Sequence, residues 1–217
     1  MAKLTPEDLT DENTYELLAE VEHHRVKSFV LEQITSDVRL IRVYSVYQVL
    51  MVLLLVFLLG KAAVLYHRGM SDALIQMGYA VLFSFTILII LHELIHALAY
   101  WLCGVRNLRT GAMLKKFIFY VMADREVIGF KAFQAVAFAP LVAVKLVCLV
   151  LGVLYWSTPY AYFLFSVMGI HSLFCAGDMA MLAFYKINAD KEIYNFDDMD
   201  TGKSYFYSRR KRPPGSG

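Results

Sequence analysis

The chain is short of cysteine, of net charge and of any leader pattern, and each shortage removes a class of function. Cys103, Cys148 and Cys175 lie scattered within or beside apolar runs and never in CxxC spacing. This argues against a disulfide framework or a thiolate zinc site, and all three read as small buried hydrophobes. Lys and Arg number 21 against 19 Asp and Glu, a net charge of +2, and no basic stripe interleaved with stacking aromatics occurs ahead of the run at 209–212. Nucleic acid is not an expected partner. Residues 1–42 are polar and acidic and hold no basic stretch leading into an apolar core, so no cleavable secretory signal is expected.

Hydrophobic residues make up 59% of the 217 and charged residues 18%, with a mean hydropathy of +0.52. A soluble domain does not carry that much apolar surface, and the balance points to a multi-pass membrane protein. Four stretches reach the roughly 20 residues needed to cross a bilayer, at about 43–66, 73–102, 133–156 and 160–185. The expected fold class is an all-α membrane protein with about four transmembrane helices. An amino-terminal segment over 1–42 is expected to be helical from the spacing of Leu17, Leu18, Val21, Phe29, Val30 and Ile34, with His23 and His24 on its solvated surface. A four-span core over 43–186 and a tail over 187–217 complete the chain. Between spans two and three, Phe117 to Val121 are β-formers, Asp124 and Arg125 can turn, and 127–130 can return. A small hairpin is expected there, the alternative being an interfacial loop with its aromatics among the headgroups.

Basic residues set the orientation, because short positive loops stay cytoplasmic. Arg39 and Arg42 precede span one, Arg106, Arg109, Lys115 and Lys116 lie between spans two and three, and Lys186 follows span four. Both termini are therefore expected on the cytoplasmic side, in the plasma membrane.

Span two carries the most informative residues. The uncharged run 86–91 leads into His92-Glu93-Leu94-Ile95-His96, an HExxH motif inside membrane-grade hydrophobicity. Residues four apart share one side of a helix, so His92 and His96 can offer nitrogens to a single zinc ion while Glu93 acts on a water. Ionisable groups within hydrocarbon are costly and mark function by default. A catalytic zinc site usually takes three protein ligands. Spans two and four run in the same direction, which brings Asp178, in Ala176-Gly177-Asp178-Met179, to the depth of the histidines. Asp178 is the candidate third ligand, with pairing to Lys145 as the alternative. His171, two turns earlier, is a rival ligand or an outer hydrogen-bond donor.

HELIHALAY at 92–100, Gly111 to Lys116, Ala137-Phe138-Ala139-Pro140-Leu141, the late Ala176-Gly177-Asp178-Met179 and the closing Tyr205-Phe206-Tyr207 together resemble the family of membrane HExxH proteins grouped as putative zincin peptidases. The layout is more distantly similar to site-2 protease-type intramembrane metalloproteases, although it lacks their Leu-Asp-Gly triplet. The resemblance implies that His92, His96 and Asp178 hold Zn2+ and that Glu93 is the catalytic base. The expected function is a zinc-dependent membrane-embedded peptidase acting on a membrane-associated protein or peptide. The alternative is a non-hydrolytic metal transporter or sensor, which gives Glu93 no task.

Overall fold

The computed structural model describes residues 4–113 and 118–210. Its contacts divide the chain into two compact units, one gathering residues 1–36, 97–136 and 180–217, the other 37–96 and 137–179.

The second unit is helical. It contains α3 (Arg39–His67), α4 (Asp72–Ser84), most of α6 (Phe130–Leu154), α7 (Tyr160–Phe174) and the facing parts of α5 (Ile87–Leu102) and α8 (Ala176–Ile187). Long Leu, Val and Ala runs propagate these helices, and α7 packs chiefly on α4 and α3. Small residues permit the close approach: Ala62, Ala73, Ala80 and Ala161 are buried among Leu58, Phe165 and Met168, and Gly169 lies directly under Leu55. α4 and α5 meet at a 49° bend, with the Thr86 hydroxyl donating to Leu82 O at 2.7 Å, and α7 and α8 meet at a 43° bend at Cys175. α3 and α6 are each long and apolar enough to cross a membrane, and each bent pair qualifies as one more span, so the candidate spans number two to four among the described residues.

The first unit corrects the all-α expectation. The chain is mostly helical, but this unit is built on a four-stranded antiparallel sheet, ordered β1 (Tyr15–Glu22), β6 (Lys203–Arg209), β5 (Ile193–Asp198), β4 (Ile128–Gly129). Tyr15–Glu22 is thus a strand rather than a helix, and among the described residues ahead of α3 the α-helical segments are α1 (Pro6–Leu9) and α2 (Val26–Ile34). The register of β1 on β6 slips between Leu17 and Ala19, a bulge that puts Leu17, Leu18 and Val21 at helix-like spacing and hides the period of two. Phe206 packs between Phe29 of α2 and Phe184 of α8 on one face, while Leu9, Tyr15, Val127 and Phe196 bury the other. His24 is exposed as expected, but His23 is buried against the Tyr120 ring with its Nε2 unpartnered, and burial lowers its pKa. Cys148 and Cys175 are buried, whereas Cys103 is exposed.

A hairpin does lie between α5 and α6, one strand earlier than expected. β2 (Leu108–Met113) pairs with β3 (Ile118–Ala123), and Asp124 and Arg125 turn the chain onward into β4 of the larger sheet. Gly111 breaks the alternation of β2 because it has no side chain; the Tyr120 ring covers it and occupies the place where a Cβ would stand. Phe117, Lys115 and Lys116, and the tail beyond Arg210, lie outside the described residues. Asp124 and Asp197 are buried side by side at an isolated bridge; Arg109 pairs with Asp124 at 3.0 Å and Ser204 donates to Asp197 at 2.5 Å.

Candidate metal centre

α5 carries His92 and His96 one turn apart, and both are buried, at 6% and 8% exposure. Asp178 stands in the first turn of α8, just past the bend at Cys175, where the unpaired amides of a helix start favour a carboxylate. The three side chains converge. His92 Nε2 lies 3.1 Å from His96 Nε2 and 3.4 Å from Asp178 Oδ2, and His96 Nε2 lies 3.2 Å from Asp178 Oδ1. All three belong to the second unit.

These separations test whether a cation fits. Ligands about 2.0–2.1 Å from a tetrahedral zinc ion stand about 3.3 Å from one another, because a tetrahedron's edge is about 1.6 times its radius. The observed 3.1, 3.2 and 3.4 Å bracket that value. Asp178 Oδ2 is sealed from solvent and makes no hydrogen bond of acceptable geometry, an orphaned acceptor 3.4 Å from His92 Nε2. Two imidazoles and a carboxylate are also a donor set that zinc accepts. The residues fit the ion.

His171 of α7 does not join this triangle; it backs it. His92 Nδ1 lies 3.1 Å from His171 Nε2, and His171 Nδ1 lies 3.7 Å from Cys175 Sγ. With His92 Nε2 turned to the centre, its proton resides on Nδ1 and donates to His171 Nε2, which in turn leaves the His171 proton on Nδ1. His92, His171 and Cys175 form a second group of potential donors within 4.8 Å, but it shares His92 and could be filled together with the first only if that ring lost both protons. A hydrogen-bonded chain accounts for it without that demand. Glu93, between the histidines, is partly exposed and engaged in an interaction of its own. Lys145 does not pair with Asp178: its ammonium donates to Met168 O and lies 5.5 Å from the Tyr47 ring.

Sequence reasoning passed over Tyr44 and Gln48 of α3. They bind the carbonyl of Ser172, at 2.5 and 2.7 Å, close to the bend that carries Asp178. The signal was present: two polar side chains four residues apart, on one face at the start of an otherwise apolar span.

A histidine pair one turn apart on one helix and an aspartate from a second form a group of donors that can hold a metal ion. The chain belongs to the family described as Putative zincin peptidase, whose profile matches residues 85–194, half of the chain and all three converging residues. That membership suggests a metallopeptidase and implies a zinc cofactor. No curated protein and no solved structure matches the chain.

Proposed function

We propose that this protein is a membrane-embedded, zinc-dependent peptidase of the HExxH type that hydrolyses peptide bonds in or near the bilayer. The observation that carries the reading is the convergence of His92, His96 and Asp178 at ligand-to-ligand spacing beside Glu93. His92 and His96 would hold the ion through Nε2 and Asp178 through its carboxylate, with His171 fixing the proton of His92 on Nδ1. A bound zinc supplies Lewis acidity, which polarises a peptide carbonyl and acidifies a water. Glu93 takes the proton from that water and hands it to the departing amine, so the base of the first half of the reaction is the acid of the second. The layout, a histidine helix and an aspartate from a later helix, is similar to that of site-2 protease-type intramembrane metalloproteases and supports the same assignment.

Membrane embedding is supported by the surface. Val43, Val46, Val49, Leu53, Val56 and Phe57 of α3 are all more than half exposed, and only 11% of its apolar window is buried. A water-facing helix does not present such a surface, whereas a lipid-facing one does. On this reading the partners are membrane lipid and a membrane-associated protein or peptide, and the basic loops support a topology with both termini on the cytoplasmic side of the plasma membrane.

Cleavage of a membrane-tethered reporter peptide by the purified chain in liposomes tests the reading. Glu93→Gln is expected to lower the rate by about 10²- to 10⁴-fold, and a chelator to abolish cleavage until zinc is returned. Undiminished cleavage by Glu93→Gln rules the proposal out, and a Glu93→Gln protein that still moves metal across the bilayer establishes transport in its place.

A further inference from the structure

Where α7 stops at Phe174, the helix ladder is interrupted and the last carbonyls need new partners. In apolar surroundings an unmet carbonyl is costly, so a broken helix persists only where neighbouring side chains supply donors. Here they come from α3. Ser172 O, whose partner in an unbroken helix is the amide of Ala176, accepts the Tyr44 hydroxyl at 2.5 Å and the Gln48 amide at 2.7 Å, and the Ser172 hydroxyl lies 2.9 Å from Gln48 Oε1. One turn earlier, Met168 O, a carbonyl inside the α7 ladder, also accepts the Lys145 ammonium. α3 thus grips the last turn of α7 and α6 the turn before it, ahead of the 43° bend.

Asp178 begins about 4.5 Å of helix rise beyond that bend. A change of 10° there displaces its backbone by about 0.8 Å, several times the roughly 0.2 Å within which ligand distances must hold. We propose that Tyr44, Gln48 and Lys145 are positioning residues that set the angle between α7 and α8 and so keep the Asp178 carboxylate within reach of His92 and His96. The inference deepens the metal-centre reading above and rests on it. None of the three touches the centre in this arrangement; each acts through the bend.

The test is a mutant cycle read in metal affinity, by chelator competition on the full chain in detergent, with the visible spectrum of the cobalt-loaded protein as a second readout. Tyr44→Phe, Gln48→Leu and Lys145→Met are each made in the wild type and in Asp178→Ala. In the wild type each is expected to weaken zinc binding by about 10- to 100-fold and to shift the cobalt spectrum toward that of Asp178→Ala, while Lys145→Arg, which keeps a donor, restores most of the affinity. In Asp178→Ala the same substitutions are expected to change nothing further, because their effect passes through the missing carboxylate. Losses of equal size in both backgrounds, or no loss in the wild type, overturn the inference. A wild type that binds neither zinc nor cobalt overturns the metal centre itself and this inference with it. Should Gln48→Leu not fold, Tyr44→Phe, which leaves the Gln48 donor on Ser172, carries the cycle alone.

Discussion

At the scale of single residues, the proposed centre depends on protons as much as on positions. His92 could turn Nε2 to a cation only while its proton stays on Nδ1, and His171 Nε2, 3.1 Å away, stands where it can accept from that nitrogen. His171→Ala is expected to weaken zinc affinity by about 10- to 100-fold, and His171→Gln, whose amide oxygen can still accept, to lose less; equal losses in the two variants, in the same competition assay, would contradict the role. A second residue-scale consequence lies in the sheet. Burial pushes the Asp197 carboxyl from 3.8 up to about 6, the Ser204 hydroxyl pulling it partly back and the neighbouring Asp124 adding to the rise. A raised carboxyl pKa means that the folded chain holds the proton longer than the unfolded one, so stability is full below about pH 4 and is lost as pH climbs through about 6, by on the order of 3 kcal/mol. Asp197→Asn, which keeps the acceptor for Ser204 without the charge, is expected to raise the thermal midpoint at pH 8 and leave it unchanged near pH 4; the same gain at both pH values would show that charge is not the cause.

At the scale of elements, close packing of α7 on α3 and α4 decides how firmly the centre is held. A Cβ on Gly169 would stand 2.7 Å from Leu55 Cγ, so the Leu55 side chain or one of the two helices must give way. Gly169→Ala is expected to cost about 1–3 kcal/mol of stability, and Leu55→Ala in the same chain to recover part of it; independent, additive losses in thermal unfolding would contradict the contact. The helices were legible in the sequence because apolar length alone identifies them, and HExxH on one face of α5 was legible because helix geometry needs only spacing. The strands were not. β1 is broken by a bulge at Leu17/Ala19, β2 contains a glycine whose partner ring arrives from β3, and β6 buries Ser204 and Ser208 beside Phe206, so its inner face reads as polar. Each of these strands is specified by what packs on it, which no local period reports. The bend at Thr86 was equally silent, since no proline or glycine lies beside it, and at Cys175 only Gly177, already inside the first turn of α8, is near.

At the scale of the whole molecule, topology and chemistry meet in the two bent helix pairs: if each is one span and the two run in the same direction, the histidines and the aspartate lie at one depth. Four spans would put Thr10 and Arg209 on the same side. In a cysteine-free background within sealed vesicles, Thr10→Cys and Arg209→Cys are expected to react with an impermeant maleimide from one side, and Met70→Cys and Ser157→Cys from the other. Labelling of all four from one side would remove the four-span reading. Asp178 was legible as a candidate because a lone carboxylate in an apolar span demands a cation, but its partnership with the histidines depends on a bend set by Tyr44, Gln48 and Lys145, more than twenty residues away in sequence. Metal content of the purified chain, measured by elemental mass spectrometry, tests the centre most directly. The expected result is about one zinc per chain in the wild type and in Glu93→Gln, and loss of that zinc in His92→Ala and in Asp178→Ala. Full zinc content in Asp178→Ala, or none in the wild type, would contradict the account.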